Sequence, residues 1–390
     1  MIKILIGPNG YGKTTSLREK KKELIDSQRI EEKDILFLES EILALDEMKD
    51  TTDKTFAMEY IISEILEDND IADRKQELSD AVDNAISSNI NLFNSMIDEV
   101  MAFNGQRRTG NFINTSDSKE YKKLLKINSN DLKNKVGSGQ RMQFILSLVK
   151  NSSKTHIFLD EPEKHSHPSL LNYTAKLIRE LSENKNLYIA THSPKLVEML
   201  DFEFDNIEVY NDPNFGGPKS LDFDQAVLVE NNYDVSTLYP KSQTYYNPTQ
   251  LKTNIKELHL KDFIEAIFSK KVYIVEGVND ELFLRKMLKN NNRHHEDYYI
   301  FVGYGKHHFL PFIKIFESLS IDVVVFFDED NVNGPNGVVN TMINDSLVLY
   351  NHYKFTPDIE REIGYTGNKG NVVEYITFLE TLNIDQRYNI

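Results

Sequence analysis

The sequence has no cysteine among its 390 residues. This absence excludes disulfides, thiolate metal sites and cysteine nucleophiles, and it fits a cytoplasmic protein. Long apolar runs are also missing, since none approaches the roughly 18 residues that cross a bilayer. The chain opens on a short apolar strand, and not on a charged and then apolar leader, so we expect no signal peptide. These absences exclude the disulfide-stabilised and the membrane-spanning classes of protein.

The chain has fewer basic than acidic residues: it contains 45 Lys and Arg and 61 Asp and Glu, which gives a net charge of −16. Such a balance argues against a general affinity for nucleic acid, although charge acts locally. The stretch 41–80 holds thirteen acids against four bases, whereas 106–141 holds nine bases against three acids. A solvated helical face and a surface for the phosphate backbone both explain the basic stretch. Charge alone leaves these two explanations open.

The order of apolar and polar segments predicts two α/β regions. Hydrophobic content of 40% is ordinary for a globular protein, and the length allows two or three domains. The polar stretch 41–135 carries helical patterns and few strand signals. Clusters of Asn, Pro, Gly and Ser at 211–217 and 239–249 predict loops. The order of segments therefore predicts an α/β core with a helical insertion, followed by a second α/β unit.

A glycine-rich loop follows the first strand. Gly7–Thr14 fits the pattern G-x-x-x-x-G-K-[ST] without a mismatch, between an apolar strand and a helix. Backbone N–H groups of such a loop point at phosphate oxygens, aided by the positive end of the helix. We expect Lys13 to neutralise the β- and γ-phosphates and the Thr14 hydroxyl to bind Mg²⁺. The remaining nucleotide contacts are predicted at Asn9, Gly10, Gly12 and Thr15.

Two later strands end in groups suited to phosphate chemistry. The apolar run from Ile157 delivers Asp160 and Glu161 at its carboxyl end, where open α/β sheets bind ligands. Asp160 suits a Mg²⁺ ligand, and Glu161 suits the base that polarises the attacking water. His192 follows the strand that ends at Thr191 and is predicted to reach the γ-phosphate. The alternative for His192 is a cap on the next turn.

These motifs, in this order along the chain, resemble an ABC-type ATPase. The resemblance includes Ser138-Gly139-Gln140, which corresponds to the loop that closes on the nucleotide of another subunit. It therefore implies bound ATP and self-association as a dimer or higher oligomer. Gly137 departs from the pattern, because a serine usually contacts the γ-phosphate there. This departure puts fast hydrolysis in question.

Carboxylates also end the strands of the second α/β region. Glu276 follows the apolar run 272–275, and Asp328 and Asp330 follow the run 323–327. Parallel strands ending side by side would bring these acids together, and a divalent cation with oxygen ligands relieves their repulsion. Mg²⁺ or Mn²⁺ held there can organise phosphodiester cleavage. The alternative is a polar sheet end whose acids are solvated.

The second region resembles a Toprim domain, and its order of motifs resembles the OLD (overcoming lysogenization defect) nucleases. The resemblance implies that Glu276, Asp280, Asp328 and Asp330 hold one metal, while Asp358 and Glu360 serve a second. It makes Lys306 and Lys369 candidate phosphate or transition-state contacts. Two pairs of neighbouring histidines could instead suggest a zinc site, but adjacent histidines in hydrated segments are more often surface residues that bind no metal. These histidines are His294, His295, His307 and His308.

The resemblance implies a complete domain plan and a function. It predicts an ABC-type ATPase domain at 1–225 with a helical insertion at about 41–135, a linker at 226–265 and a Toprim α/β domain at 266–390. The implied function is an ATP-regulated, divalent-metal-dependent endonuclease that acts on DNA, in bacterial defence against phage. The alternative is an ATPase sensor or scaffold that assembles with partner proteins and whose Toprim half is weak or directed at RNA.

Overall fold

The computed structural model describes two compact units, which are considered separately below. The first comprises Met1–Ile6 and Gly12–Asn206, and the second comprises Gly7–Tyr11 and Ile207–Ile390. The residues described are 1–27, 30–39, 98–99, 102, 126–127, 130–131, 138–150, 152–164, 167–212, 217–228, 234–291, 293, 297–329, 334–346, 351–356 and 358–382. Most of the predicted insertion, Gly137, Asp330, His294 and His295 lie outside these ranges.

The first unit is built on a parallel sheet with strand order β2-β5-β6-β1. Its strands are almost wholly apolar and buried, as expected for a parallel sheet covered on both faces. A short antiparallel pair, β3 with β4, lies apart from this sheet. The strands are β1 (Ile2–Ile6), β2 (Ile35–Leu38), β3 (Lys126–Ile127), β4 (Asn130–Asp131), β5 (His156–Asp160) and β6 (Asn186–Thr191).

The helices of the first unit begin at recognisable signals. Pro168 and Pro194 occupy first helical positions, where a missing N–H costs nothing. The Ser193 hydroxyl accepts a hydrogen bond from the Leu196 N–H at 3.1 Å and caps the short helix after β6. The helices are α1 (Lys13–Asp26), α2 (Ser138–Lys150), α3 (Pro168–Ser182) and α4 (Pro194–Glu198). Each of α1, α3 and α4 thus starts close to the carboxyl end of a strand.

The second unit contains a four-stranded sheet, also parallel, with strand order β10-β9-β11-β12. Strand β11 is the longest and extends beyond the carboxyl end of β9, so its last residues pair with β12 alone. An antiparallel pair, β7 with β8, precedes this sheet in the chain. The strands are β7 (Ile207–Val209), β8 (Lys219–Ser220), β9 (Lys271–Val275), β10 (Tyr298–Val302), β11 (Asp322–Asp328) and β12 (Asn351–Phe355).

Helices and aromatic side chains complete the second unit. A buried cluster that includes Tyr273, Phe283, Phe326, Phe355 and Tyr375 fills one face of the sheet. The helices are α5 (Phe223–Val227), α6 (Pro240–Gln243), α7 (Pro248–Asn254), α8 (Leu260–Phe268), α9 (Val278–Asn290), α10 (Phe309–Ser318), α11 (Pro335–Ser346), α12 (Ile359–Glu362) and α13 (Val372–Thr381), with a π-helical turn at Ile255–His259 between α7 and α8. None of the described helices is long and apolar enough to cross a membrane.

The predicted α/β class is confirmed, with parallel sheets in both units. The predicted loop at 239–249 was wrong, because α6 and the start of α7 occupy it. Pro240 and Pro248 each open a helix, and the Asn247 side chain accepts a hydrogen bond from the Gln250 N–H at 3.0 Å. Proline and asparagine here mark helix starts and not turns. The boundaries predicted at 225 and 266 remain predictions.

Candidate functional site

The glycine-rich loop has a backbone that favours glycine at several positions. Gly7, Gly10 and Gly12 have positive φ angles of 143°, 83° and 88°. A side chain on Gly7 would overlap the Tyr210 carbonyl, which belongs to the same unit. Gly12 caps α1 and accepts a hydrogen bond from the Ser16 N–H at 2.9 Å. The loop therefore delivers Lys13 and Thr14 into the first turn of a helix, as phosphate binding requires.

Lys13 and Thr14 lie beside the carboxylates of β5. The Thr14 hydroxyl donates to both oxygens of Asp160, at 2.9 and 3.1 Å. Burial lowers the pKa of Lys13, although Glu161, Asp160 and Glu163 act in the opposite direction. Burial likewise raises the pKa of Asp160, and the hydrogen bond from Thr14 opposes that rise. A buried ammonium beside a hydroxyl and a carboxylate is a donor set that fits a triphosphate with Mg²⁺.

Glu161 and His192 face each other across the ends of β5 and β6. The Nδ1 atom of His192 lies 3.3 Å from Oε1 of Glu161. Glu161 has a positive φ of 48°, which is uncommon for a residue with a long side chain. Its N–H donates to the Ala190 carbonyl at 2.8 Å, so the backbone turn is fixed to β6. The predicted base and the predicted γ-phosphate contact are therefore held within reach of each other.

Glu163 is a residue of this site that the sequence motifs alone did not identify. Its Oε1 accepts from the Thr191 hydroxyl at 2.5 Å and from the His192 N–H at 3.1 Å, and lies 3.3 Å from the His192 Nδ1. Burial raises the pKa of Glu163, while the hydroxyl of Thr191 lowers it. The signal was present in the run Asp160-Glu161-Pro162-Glu163, but no spacing argument assigned its last acid a role.

The other residues predicted to contact the nucleotide are either exposed or have side chains outside the described residues. Thr15 is exposed in the first turn of α1, and Asn9 and Gly10 are exposed. Ser138, Gly139 and Gln140 form the first turn of α2, and their side chains lie outside the described residues. Their predicted contacts, which involve another subunit, remain predictions.

In the second unit, Glu276 and Asp328 meet at the ends of neighbouring parallel strands. Glu276 follows β9, and Asp328 is the last residue of β11. The Asp328 N–H donates to Oε1 of Glu276 at 2.8 Å, while Oδ1 of Asp328 accepts from the Ile359 N–H at 3.0 Å. The sheet topology thus brings together two acids that are 52 positions apart in the chain. Asp330 lies outside the described residues.

Asp280 joins this pair from the first turn of α9. Its Oδ2 accepts from the Gly277 N–H at 2.8 Å. Burial, then the negative charges of Glu276 and Glu360, raises the pKa of Asp280 to about 7. Burial, followed by the charges of Asp280 and Glu276, raises the pKa of Asp328 to about 8. The donor set is made of hard carboxylate oxygens, which fits Mg²⁺ or Mn²⁺. Among the described residues, no group of three or more acidic, histidine or cysteine side chains has the geometry of a metal site.

Asp358 and Glu360 form a second pair of acids, bridged by Lys369. The Lys369 ammonium lies 3.2 Å from Oδ2 of Asp358 and 2.9 Å from Oε2 of Glu360. Burial alone would raise the pKa of Asp358, but the Arg361 N–H and Lys369 lower it overall. Asn279, which the sequence analysis did not identify, donates to Oε1 of Glu360 at 2.9 Å and to the Lys369 carbonyl at 3.1 Å. These contacts tie the second pair to α9.

Lys306 and Tyr375 are two buried residues related to the acid cluster. The Lys306 ammonium donates to the Asp328 backbone carbonyl at 2.6 Å. Burial raises the pKa of Tyr375, and the charges of Glu360 and Asp280 raise it further. No sequence motif indicated Tyr375, because a tyrosine on an apolar helix is normally a core residue.

The histidines that suggested zinc have other contacts where the structure describes them. An Nε2–Oδ1 distance of 2.8 Å joins His307 to Asn336, and the Nδ1 atom of His308 lies 3.0 Å from the Gly303 carbonyl oxygen. The ring of Tyr245 stacks on His308 with centroids 3.8 Å apart. His307 and His308 therefore contribute to packing and hydrogen bonding in the second unit.

Comparisons with known proteins add two family matches and one relative. Residues 16–197 match the AAA ATPase domain family, and residues 267–330 match the Overcoming lysogenization defect protein-like, TOPRIM domain family. Endonuclease GajA from Bacillus cereus (strain HuB5-5) is 26% identical over 191 residues, which is 46% of this chain. The match covers 27% of the length of GajA. The second family match contains Glu276, Asp280 and Asp328.

Proposed function

We propose that this chain is an ATP-regulated, divalent-metal-dependent endonuclease acting on DNA. The proposal starts from its membership of the OLD family, in which an ATPase domain is followed by an OLD-like Toprim domain. The observation that carries this proposal is the meeting of Glu276, Asp280 and Asp328 at one sheet edge. Three carboxylates crowded in this way cost free energy unless a cation or a proton compensates them. The name of the relative GajA, an endonuclease, agrees with this direction.

The first site is suited to binding and hydrolysing ATP. Lys13 would neutralise the β- and γ-phosphates, and Thr14 with Asp160 would hold Mg²⁺. Glu161 would accept the proton of the attacking water at its carboxylate. His192, held by Glu163 through both its N–H and its Nδ1, would donate to the γ-phosphate. The proposed roles follow from the distances between these groups and from the polarity of each one.

The second site is suited to phosphodiester cleavage. Glu276, Asp280, Asp328 and Asp330 would hold one divalent cation, and Asp358 and Glu360 a second. A bound cation supplies an activated water and stabilises the leaving oxygen. The protein's own contribution is orientation: the Asp328 N–H fixes Glu276, the Ile359 N–H fixes Asp328, and the Lys306 ammonium holds the end of β11. Lys369 lies at the surface of the site and would contact a phosphate.

Partners and setting follow from this assignment. We infer that the substrate is DNA, with RNA as the alternative. We also infer that the protein self-associates and acts in the cytoplasm in defence against phage. A second defence protein can take part in that defence. A competing function is an ATPase sensor or scaffold that assembles with partner proteins. Gly137 in place of the usual serine and the net charge of −16 favour that function.

The deciding experiment incubates the purified protein with plasmid DNA or total RNA and Mg²⁺ or Mn²⁺, with and without ATP. We expect cleavage of DNA that requires the metal and changes with ATP. Asp328→Asn should abolish cleavage and keep ATP hydrolysis, whereas Glu161→Gln should slow hydrolysis by orders of magnitude. Glu329→Gln changes a half-buried neighbour that is bonded to Lys354 and Thr356; it is the matched control and should cleave normally. Equal cleavage by the parent and Asp328→Asn would support the sensor or scaffold instead.

A further inference from the structure

Tyr304 has an unusual backbone and an exposed side chain in the loop after β10, whose backbone is bonded to the strand end that carries Glu276. It follows β10 in the sequence Gly303-Tyr304-Gly305-Lys306 and has a φ of 53°. The left-handed region is unfavourable for a residue with a bulky side chain, and glycine or asparagine fits it better. Tyr304 is nevertheless 63% exposed, so burial of apolar surface does not offset the free energy that this conformation costs.

The loop around Tyr304 is bound to the strands that carry the acids. The Gly303 N–H donates to the Val275 carbonyl at 2.9 Å, and the Gly305 N–H donates to the Glu276 carbonyl at 3.0 Å. Tyr304 therefore lies between two backbone hydrogen bonds to the end of β9, one of them to a proposed metal ligand. Lys306, two residues further, is 2% exposed and donates to the Asp328 carbonyl. The position of Tyr304 is thus fixed relative to both Glu276 and Asp328.

The inner side of this loop is equally constrained. A side chain on Gly303 would overlap the ring of Phe309, so the chain approaches α10 closely. The ring of Tyr304 lies 5.8 Å from the buried ring of His259, measured between centroids. Its outer surface remains accessible. A strained backbone that presents an exposed aromatic ring at a site indicates a functional contact, because folding alone would select a smaller residue.

We propose that Tyr304 stacks on an unpaired base of the nucleic acid that is cut at the acid cluster. This inference rests on the proposed nuclease function and extends it to the substrate class: a single-stranded or locally unpaired segment at the cut. Aromatic rings bind bases through their faces with little sequence preference, whereas paired bases keep their faces stacked within the duplex. An exposed tyrosine in a loop bonded to the Glu276 backbone fits that role, since it binds without adding charge to the site.

A tryptophan at this position gives a direct test, because the protein contains none. The substitution Tyr304→Trp introduces a single tryptophan, and its emission should be quenched when a single-stranded oligonucleotide binds. Ca²⁺ replaces Mg²⁺ in this titration, and a gel verifies that the oligonucleotide stays intact. Leu228→Trp is the matched control, since Leu228 is 56% exposed in the same unit. We expect its emission to stay constant while the anisotropy of a labelled oligonucleotide rises in both variants.

Two further variants separate the ring from the backbone. Tyr304→Asn suits the left-handed backbone and should unfold at the same temperature as the parent or higher, yet bind the oligonucleotide about tenfold more weakly or worse. Tyr304→Phe keeps the ring and should bind like the parent. Constant emission from the Tyr304→Trp variant with rising anisotropy would overturn the stacking role and leave the nuclease proposal intact. Absence of any oligonucleotide binding would overturn the stacking role, while the plasmid cleavage assay decides the nuclease proposal separately. Emission that changes with protein concentration alone would overturn the stacking role and assign the ring to self-association.

Discussion

Two acids of the second site, Asp280 and Asp328, have pKa values far above those of ordinary carboxyls. Burial and mutual repulsion raise the pKa of Asp280 to about 7 and that of Asp328 to about 8. Between about pH 4 and pH 8 the folded state therefore binds more protons here than the unfolded state. The free energy of unfolding that these groups contribute falls as the pH rises through this window. Metal binding needs the deprotonated acids, so the metal affinity of the site increases as the pH rises.

Asp328→Asn removes one of these crowded charges. We expect the free energy of unfolding in metal-free buffer at pH 8 to rise by about 1–3 kcal/mol, because the repulsion and the burial cost of one carboxylate disappear. At pH 5 the difference should be smaller, since the free energy that Asp328 costs begins to grow only above about pH 4 and increases up to about pH 8. Urea unfolding at both pH values measures the difference.

The matched control for this change is Glu329→Gln. Glu329 is the next residue, and hydrogen bonds from Lys354 and then Thr356 lower its pKa. Its loss should slightly reduce stability at pH 8, and not increase it. A gain of stability in Glu329→Gln equal to that in Asp328→Asn would mean that overall charge, and not the crowding at Asp328, sets the effect.

Lys369 is the counter-charge of the second acid pair. Its ammonium lies within 3.2 Å of both Asp358 and Glu360. Lys369→Ala should expose these carboxylates to added cations, so we expect Mn²⁺ to bind tighter by several-fold and to raise the unfolding temperature more than in the parent. Isothermal titration and melting curves measure both effects. Lys354→Ala, which removes an exposed partner of Glu329, should leave the Mn²⁺ affinity unchanged. Weaker Mn²⁺ binding in Lys369→Ala would contradict a competition between the ammonium and the metal.

Residues whose chemistry is tied to a strand end could be predicted from the sequence. Asp160 and Asp328 each end an apolar run, and a parallel sheet places such ends at one edge. Glu163 and Asn279 could not be assigned roles, because their partners lie 28 and 81 positions away along the chain. Only the folded backbone brings those partners close.

At the scale of elements, both sites depend on parallel strands followed by helices. The pattern of apolar residues predicts a helix over 280–288 and a strand over 34–40. In the structure the helix spans Val278–Asn290 and the strand spans Ile35–Leu38. The helix starts earlier because Asp280 caps it by accepting the Gly277 N–H. Apolar periodicity locates the centres of such elements, whereas caps and backbone hydrogen bonds determine their ends. The segment 239–249 was misassigned for the same reason.

The glycine-rich loop gives a paired prediction. Gly7→Ala should lower the free energy of unfolding by about 2 kcal/mol or more, because the new methyl overlaps the Tyr210 carbonyl and the φ of 143° is poorly populated by alanine. Gly10→Ala has a positive φ of 83° but no atom within 4 Å of the added methyl, so it should cost only about 1–2 kcal/mol. Urea unfolding of both variants measures the contrast. Equal costs would mean that the overlap at Gly7 relaxes without penalty.

At the scale of the whole molecule, the sequence order predicted an ATPase domain followed by a Toprim domain, and this order is confirmed. The prediction succeeded because each domain carries a short motif whose residue types follow from phosphate or metal chemistry. For the arrangement of subunits the sequence offers one such motif, the loop Ser138–Gln140, whose resemblance implies self-association. The rest of that arrangement depends on surfaces, and the basic stretch 106–141 lies largely outside the described residues. Self-association therefore stays a prediction.

ATP should drive self-association, because the loop Ser138–Gln140 resembles one that closes on the nucleotide of another subunit. Glu161→Gln removes the predicted base, so this variant should retain ATP and sediment as a dimer or larger species when ATP and Mg²⁺ are present. Lys13→Ala lacks the cation for the β- and γ-phosphates and should not respond to ATP. Sedimentation velocity over a range of protein concentrations distinguishes the two. Were Glu161→Gln to bind ATP and remain a monomer throughout, the loop would not act between subunits, and Ser138, Gly139 and Gln140 would be only the first turn of α2.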